Sequence, residues 1–286
     1  MTAAPLFILL NAGSGHNDTA ETHATIDGLL AASGRQYEIR QVDRPGDLKR
    51  LAEETVAKAI AIGGVVVAAG GDGTINTIAQ AALHANCPFG VLPQGTFNYF
   101  GRTHGIPEDT AEAVQALLAA TVQPVQVGLV NDKLFLVNAS LGLYPEILED
   151  REAYKSKYGR SRFVALIAGI ATILKQQRRL TVSLEFEGGT RTLRTPTVFV
   201  GNNALQMEQA GIPLAQALEN GQLAGIVLRP IGTLAMLWLL VRGMLGQLGD
   251  ADNVDRFAFR GMTVHPRRAR RIKVATDGEV AWLQAP

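Results

Sequence analysis

Cysteine is almost missing from this chain. Cys87 stands alone among 286 residues, so no internal disulfide can form and a reducing compartment is expected. An excess of charge of either sign is missing too: 27 Lys and Arg against 26 Asp and Glu leave a net charge of +1. Such a balance gives no global pull toward nucleic acid or an anionic membrane. Aromatic residues make up only 6%, and too few stand beside the basic clusters at 151–162 and 267–273 to build the stacking platforms of a single-strand binder. Both clusters are expected to be solvated surface. The five histidines are scattered, with no pair at the spacing of a metal-binding helix. No apolar run is long enough to span a bilayer. The richest, 231–248, is interrupted by Arg242 and weakened by Gly232, Gly243 and Gly246, short of the roughly 20 residues a span needs. A buried or interface-seeking helix is expected there. The first residues lack the basic segment and long apolar core of a signal peptide, and a cytoplasmic protein, peripheral at most to the inner membrane face, is expected.

What the chain does have is glycine in a telling arrangement. After the apolar run Val65-Val66-Val67, residues 68–76 read Ala-Ala-Gly-Gly-Asp-Gly-Thr-Ile-Asn. Glycines around one aspartate are expected to adopt positive φ and bring backbone N–H groups close to a polyphosphate. The helix expected to follow, 75–83, adds its N-terminal partial positive charge. Asp72 among anion-binding amides makes sense where a cation or an acidic proton is also handled, as with a Mg-bound nucleotide. A second signature, Leu92-Pro93-Gln94-Gly95-Thr96-Phe97-Asn98-Tyr99, again follows a short apolar strand.

Around these motifs, 6–118 alternate strands and helices: strands at 6–10, 37–42, 65–69 and 89–92, helices at 22–32, 48–61 and 75–83. That alternation predicts a Rossmann-like parallel α/β domain with its ligand crevice beyond the carboxyl ends of the strands. From 122 the pattern turns β-rich, with strands at 122–130, 133–139, 181–186, 191–200, 224–228, 254–259 and 271–275, and helices near 162–176 and 233–247. Turn residues at 131–132, 188–189 and 220–221 predict hairpins and an antiparallel β-sandwich. The domains are expected at 1–121 and 122–276.

The paired motifs resemble the diacylglycerol kinase catalytic-domain family, which includes bacterial soluble lipid kinases and the sphingosine kinases. Its members carry Gly-Gly-Asp-Gly-Thr, then Pro-x-Gly-Thr-x-Asn, then a late Asp-Gly-Glu, matched here by Asp277-Gly278-Glu279. Asn11-Ala12-Gly13-Ser14-Gly15 resembles the family's opening loop, while Asn138-Ala139-Ser140-Leu141-Gly142 and Val200-Gly201-Asn202-Asn203 are also similar. The resemblance implies that the C-terminal strand, about 277–286, returns to complete the first domain. There are departures. Many bacterial members have Asp where this chain has Tyr99, and the loop Asp-Gly-x-Leu-Asp, which helps some members hold a structural Mg, is Asn220-Gly221-Gln222-Leu223-Ala224 here. With two carboxylates missing, that structural metal site is expected to be weak or absent.

The resemblance implies an ATP- and Mg-dependent lipid kinase, transferring the γ-phosphoryl group to a hydroxyl of a diacylglycerol-like or long-chain-base lipid at the membrane surface. Asn11, Gly13, Ser14, Gly15, Gly70, Gly71, Asp72, Gly73, Thr74, Ile75, Asn76, Gly95, Thr96 and Asn98 are expected to hold the nucleotide. For Asp72 the residues leave two roles open, Mg anchor or proton acceptor. The resemblance gives the base role to Glu279, with Asp72 organising nucleotide and Mg and Asp277 serving as a metal or positioning partner. A nicotinamide-dinucleotide kinase shares the first glycine loop but not Pro-x-Gly-Thr-x-Asn. A nucleotide-regulated lipid-binding protein without catalysis is the reading from a different class, opposed by the retained Asp72, Asp277 and Glu279. No nucleic-acid partner is expected, and the sequence does not reveal the oligomeric state.

Overall fold

The computed structural model describes residues 3–11, 19–158, 180–187, 189–244, 252–267 and 269–286. The chain divides into two units, Met1–Val125 and Gln126–Pro286.

In the first unit, β1 (Leu6–Asn11), β2 (Tyr37–Val42), β3 (Val65–Gly70) and β4 (Phe89–Pro93) form a parallel sheet in the order β2-β1-β3-β4. β3 is buried along its whole length and β1 at every position but its last, as central strands covered on both faces must be. The crossovers are α1 (Thr19–Ser33), α2 (Leu48–Ala61) and α3 (Asp72–His84). α1 buries Thr22, Ile26 and Leu30, one residue per turn, and Ile26 and Leu30 join Leu6, Ile8, Leu10, Val65, Val67 and Leu92 in one core. Each such aliphatic side chain contributes roughly 1.5–3 kcal/mol when fully buried. After the short α4 (Tyr99–Thr103), Asp109 starts α5 (Thr110–Ala119), accepting the Glu112 N–H at 3.0 Å, an ordinary N-cap.

In the second unit, a six-stranded antiparallel sheet runs β12-β11-β10-β7-β14-β15, from β7 (Asn138–Gly142), β10 (Thr197–Gly201), β11 (Leu223–Leu228), β12 (Val254–Phe259), β14 (Arg271–Thr276) and β15 (Glu279–Gln284). A three-stranded sheet runs β13-β8-β9, from β8 (Leu180–Phe186), β9 (Gly189–Thr195) and β13 (Met262–Pro266). Leu141, Val198, Val227 and Val274 of the larger sheet pack with Val182 and Leu184 of the smaller, which makes the expected sandwich. β5 (Gly128–Val130) and β6 (Lys133–Phe135) form a separate hairpin. Among the described residues the helices of this unit are α6 (Leu143–Tyr158), α7 (Ala204–Gln209), α8 (Ala215–Glu219) and α9 (Thr233–Met244). No helix among the described residues is long and apolar enough to cross a membrane.

Several expectations need correction. Residues 122–127 are not a strand, and only Gly128–Val130 of that stretch pairs. The segment expected as one strand at 191–200 is two strands in different sheets, broken at Pro196, which has no N–H to donate. The Thr195 hydroxyl steadies the break, lying 2.7 Å from the Leu228 carbonyl and accepting the Thr197 N–H at 3.1 Å. Asn220-Gly221 is no hairpin but the end of α8, with Gly221 at φ 73°. The C-terminal strand pairs with β14 in the second unit rather than returning to the first. The helix expected near 162–176 lies outside the described residues.

Candidate active site

With the strand order β2-β1-β3-β4, the direction in which successive strands are added reverses between β1 and β3, and ligand crevices of open α/β sheets form outside the carboxyl ends at such a point. β1 ends there in Asn11 and β3 in Gly70. Across the switch, Asn11 Nδ2 donates to Thr74 Oγ1 at 2.7 Å. Thr74 is buried beside Gly70, where an added Cβ would stand 2.6 Å from the Thr74 side chain. That is why Gly70 carries no side chain: none of Gly70, Gly71 and Gly73 has positive φ, contrary to the expected reason. Gly71 is extended (φ −80°, ψ 178°) and α3 begins at Asp72, not at 75. Asp72, Gly73 and Thr74 therefore form the first helical turn, whose N–H groups have no partner within the helix. An added Cβ at Gly73 would meet nothing within 4 Å among the described residues. The geometry is a helix N-terminus, a feature suited to an anion.

The second loop is locked to the first. Asp72 Oδ2 accepts the Asn98 N–H at 3.2 Å, and its Oδ1 accepts the Tyr99 N–H at 3.1 Å. An added Cβ at Gly95 would lie 2.9 Å from Gly71 Cα, so the two backbones touch. Gln94, which sequence reasoning passed over, donates its N–H to the Gly70 carbonyl at 2.9 Å and its side-chain Nε2 to Thr110 Oγ1 at 3.1 Å. Its place between Pro93 and Gly95 was the only signal for it. Asn98 is buried at φ 47°, and its side chain closes a ring on Gly95, accepting that N–H at 2.8 Å and donating to that carbonyl at 2.9 Å. Asn98 is thus the staple of its loop. Thr96 is exposed and Asn76 half-buried. Ile75 is fully buried and its N–H is bonded to the Gly71 carbonyl at 3.0 Å, so it faces the core and not the crevice. Gly13, Ser14 and Gly15 lie outside the described residues.

Asp277 and Glu279 belong to the second unit. Asp277 (φ 48°) and Gly278 (φ 91°) are the two central residues of the β14–β15 hairpin, a turn that requires positive φ at both. The Asp277 carboxylate accepts three backbone N–H groups, from Leu136 at 2.7 Å and from Val137 and Asn138 at 2.9 Å each. Both oxygens are held, which fixes the carboxylate against the backbone at 136–138. Glu279 is exposed at the start of β15. Among the described residues no three His, Cys, Asp or Glu side chains converge as a metal site. Where the family loop carries its last acid, Ala224 is fully buried against Met207, Ile212 and Leu218.

Residues 5–130 match the family model for the diacylglycerol kinase catalytic domain. Over those residues the chain is similar to the diacylglycerol kinase catalytic domain. A protein of Pseudomonas aeruginosa (strain UCBPP-PA14) named "Probable lipid kinase YegS-like" is 40% identical over 112 residues, 38% of this chain and 36% of that protein. A protein of the same name from Klebsiella pneumoniae (strain 342) is 32% identical over 144 residues, 50% of this chain and 47% of that one. The chain thus spans a third to a half of the length of these curated relatives. The fold extends further than the sequence likeness. A crystal structure of a diacylglycerol kinase from Bacillus anthracis str. Sterne superposes with a TM-score of 0.69 at 20% identity, covering 98% of this chain and 91% of that one.

The second unit also holds a cavity of about 360 Å³, lined by Leu129, Phe135, Val198, Phe259, Val274 and Leu283 among others. Asn131 and Gln284 bring polar atoms to the same wall.

Proposed function

We propose that the chain is an ATP-dependent lipid kinase that phosphorylates a hydroxyl of a diacylglycerol-like or long-chain-base lipid, and so serves phospholipid metabolism at a membrane surface. The observation that carries this reading is the pair of touching loops beyond β3 and β4, tied by Asp72, over a helix N-terminus suited to phosphate. Gly73, Thr74 and Asn11 are well placed to bind the phosphate chain. A Cβ at position 73, which would meet nothing within 4 Å among the described residues, would enter the space assigned to phosphate. Mg fits here as a companion of the phosphates, because it is commonly held by one or two carboxylates plus phosphate oxygens and water; Asp72 is the acid within reach, and the ion would neutralise charge on the transferring group. Phosphoryl transfer needs positioning and electrostatic stabilisation more than a strong base.

Glu279 is the group we assign to receive the acceptor hydroxyl proton. Asp277 acts on it through the backbone, fixing the hairpin that carries Glu279. The apolar cavity of the second unit is of a size to take aliphatic chain, within the range of small-molecule pockets. The test is to incubate the purified full chain with Mg, labelled ATP, a panel of lipids and nicotinamide dinucleotide, and to separate the products. Label in a lipid supports the reading. Label only in the dinucleotide, or none in any acceptor, overturns it.

A further inference from the structure

Tyr99, the residue that departs from the family pattern, has a place in the structure that neither the phosphate turn nor the proton transfer explains. Its ring lies parallel to that of Phe97, at 6° and with centroids 5.7 Å apart, within the range of offset-stacked pairs. The two rings differ in environment. Tyr99 is half-buried, while Phe97 is 54% exposed at the tip of the loop. A single exposed apolar residue is ordinary on a protein surface. This one is different because its partner's backbone is held: the Tyr99 N–H is bonded to Asp72 Oδ1 at 3.1 Å, and the neighbouring Asn98 N–H to Oδ2 at 3.2 Å. Arg102 Nη1 lies 3.5 Å from the Phe97 carbonyl on the other side. The result is a flat aromatic surface whose orientation is set by the phosphate turn itself. A pre-ordered ring loses little conformational freedom when another ring settles on it.

The distance fits as well. Gly95 touches Gly71 just before the first turn of α3, and Phe97 is two residues from Gly95, at most about 7 Å of chain. A group stacked on Phe97 is therefore within a nucleotide's length of an anion over Gly73. Aliphatic chain gains nothing special from a flat quadrupolar face, whereas a heteroaromatic base does.

We propose that the Phe97–Tyr99 stack is the platform for the purine ring of the bound nucleotide, with Tyr99 backing Phe97 and the base on its open face. This rests on the reading of the two loops as a nucleotide site. The experiment titrates the full chain, in Mg, with ATP, CTP and inorganic tripolyphosphate, which has the phosphates without the base. Phe97→Ala is expected to weaken ATP binding about tenfold, as loss of a base–aromatic stack does, to narrow the preference for ATP over CTP, and to leave tripolyphosphate binding unchanged. Phe97→Trp is expected to restore or exceed the ATP affinity. Unchanged ATP affinity in Phe97→Ala overturns the platform while leaving the nucleotide reading in place. Equal weakening of ATP and tripolyphosphate also overturns it, since the loop and not the base contact has then been lost. Failure of the unmodified chain to bind either ATP or tripolyphosphate removes the nucleotide reading and the platform with it.

Discussion

Asp72 accepts the Asn98 N–H at 3.2 Å across 26 residues of sequence, tying the turn after β3 to the turn after β4. The same carboxylate takes the Tyr99 N–H, so each oxygen serves the second loop. A residue that reads in sequence as a metal or proton handler is here first a clasp. The two functions are compatible, because a carboxylate oxygen can accept more than one interaction. The N-terminus of α3 thereby lies on a surface assembled from both signatures.

Asp72→Asn should therefore reduce both stability and turnover. A carboxamide keeps one acceptor oxygen but turns an NH₂ group toward the second backbone N–H, and an unsatisfied donor costs about 1–3 kcal/mol. Melting should fall by several degrees, at about 2–4 °C per kcal/mol for a domain somewhat larger than this first unit. Labelled-ATP turnover should fall to background at a temperature where the variant is still folded. Near-normal turnover in a folded variant would remove Asp72 from the site.

The glycines separate packing from binding. Gly95→Ala forces a Cβ to within 2.9 Å of Gly71 Cα, and overpacking of this kind costs about 1–3 kcal/mol. Gly73→Ala meets nothing within 4 Å among the described residues and replaces glycine in a helix, a change that favours the fold by up to about 1 kcal/mol. Its methyl group nonetheless enters the space assigned to phosphate. Thermal melts and ATP titrations should show Gly95→Ala destabilised, and Gly73→Ala as stable as the parent or more so yet weaker for ATP. A Gly73→Ala variant with full ATP affinity would put the phosphates elsewhere.

Much of this was legible in sequence. β2, α2 and β12 fall on the residues that periodicity assigns to them, because their apolar spacing and flanking turns agree. The crevice was legible because three glycine-containing loops follow three strands that turn out adjacent. What the sequence hid is of a different kind. That Gly70 makes room for Thr74, rather than supplying positive φ, depends on a contact bridged from Asn11, 63 residues away. β13, Met-Thr-Val-His-Pro, is short and ends in proline, so it carries little strand signal until paired with β8. The membership of β15 follows from the Thr276↔Glu279 hairpin, a local feature that the family resemblance outweighed.

Cys87 offers a report on opening of the first unit. It is buried at 8% exposure, and burial pushes its thiol pKa up, so little thiolate is present to react. Alkylation should be slow in the native protein and rapid in denaturant. Rapid modification of the native chain would mean that the 84–88 connection opens readily, against the packing described.

Asp277 and Glu279 should part company under substitution. Asp277→Asn replaces an acceptor of three backbone N–H groups and should lower the melting temperature. Glu279→Gln, at an exposed strand start, should melt like the parent and bind Mg-ATP but lose turnover, since an amide cannot take the hydroxyl proton. A fully active Glu279→Gln would return the proton to Asp72 or to solvent.

Metal should matter for catalysis and not for folding. Ala224 is fully buried in an apolar cluster with Met207, Ile212 and Leu218, and Asn220 sits at the end of α8 with its N–H bonded to the Ala217 carbonyl at 3.2 Å. A hard cation wants several oxygen ligands, and this neighbourhood supplies methyl and methylene groups where a family member's acid would stand. A structural metal adds its binding free energy to folding, so removing one lowers the melting temperature. The nucleotide-free chain should accordingly melt at the same temperature with and without chelator, while chelator stops phosphoryl transfer and Mg restores it. Ala224→Asp should be strongly destabilised, because a lone carboxylate in that cluster has no partner, and added Mg should not rescue it without the second acid. A large chelator-induced fall in melting temperature, or rescue of Ala224→Asp by Mg alone, would place a structural cation in this unit and overturn the division of roles.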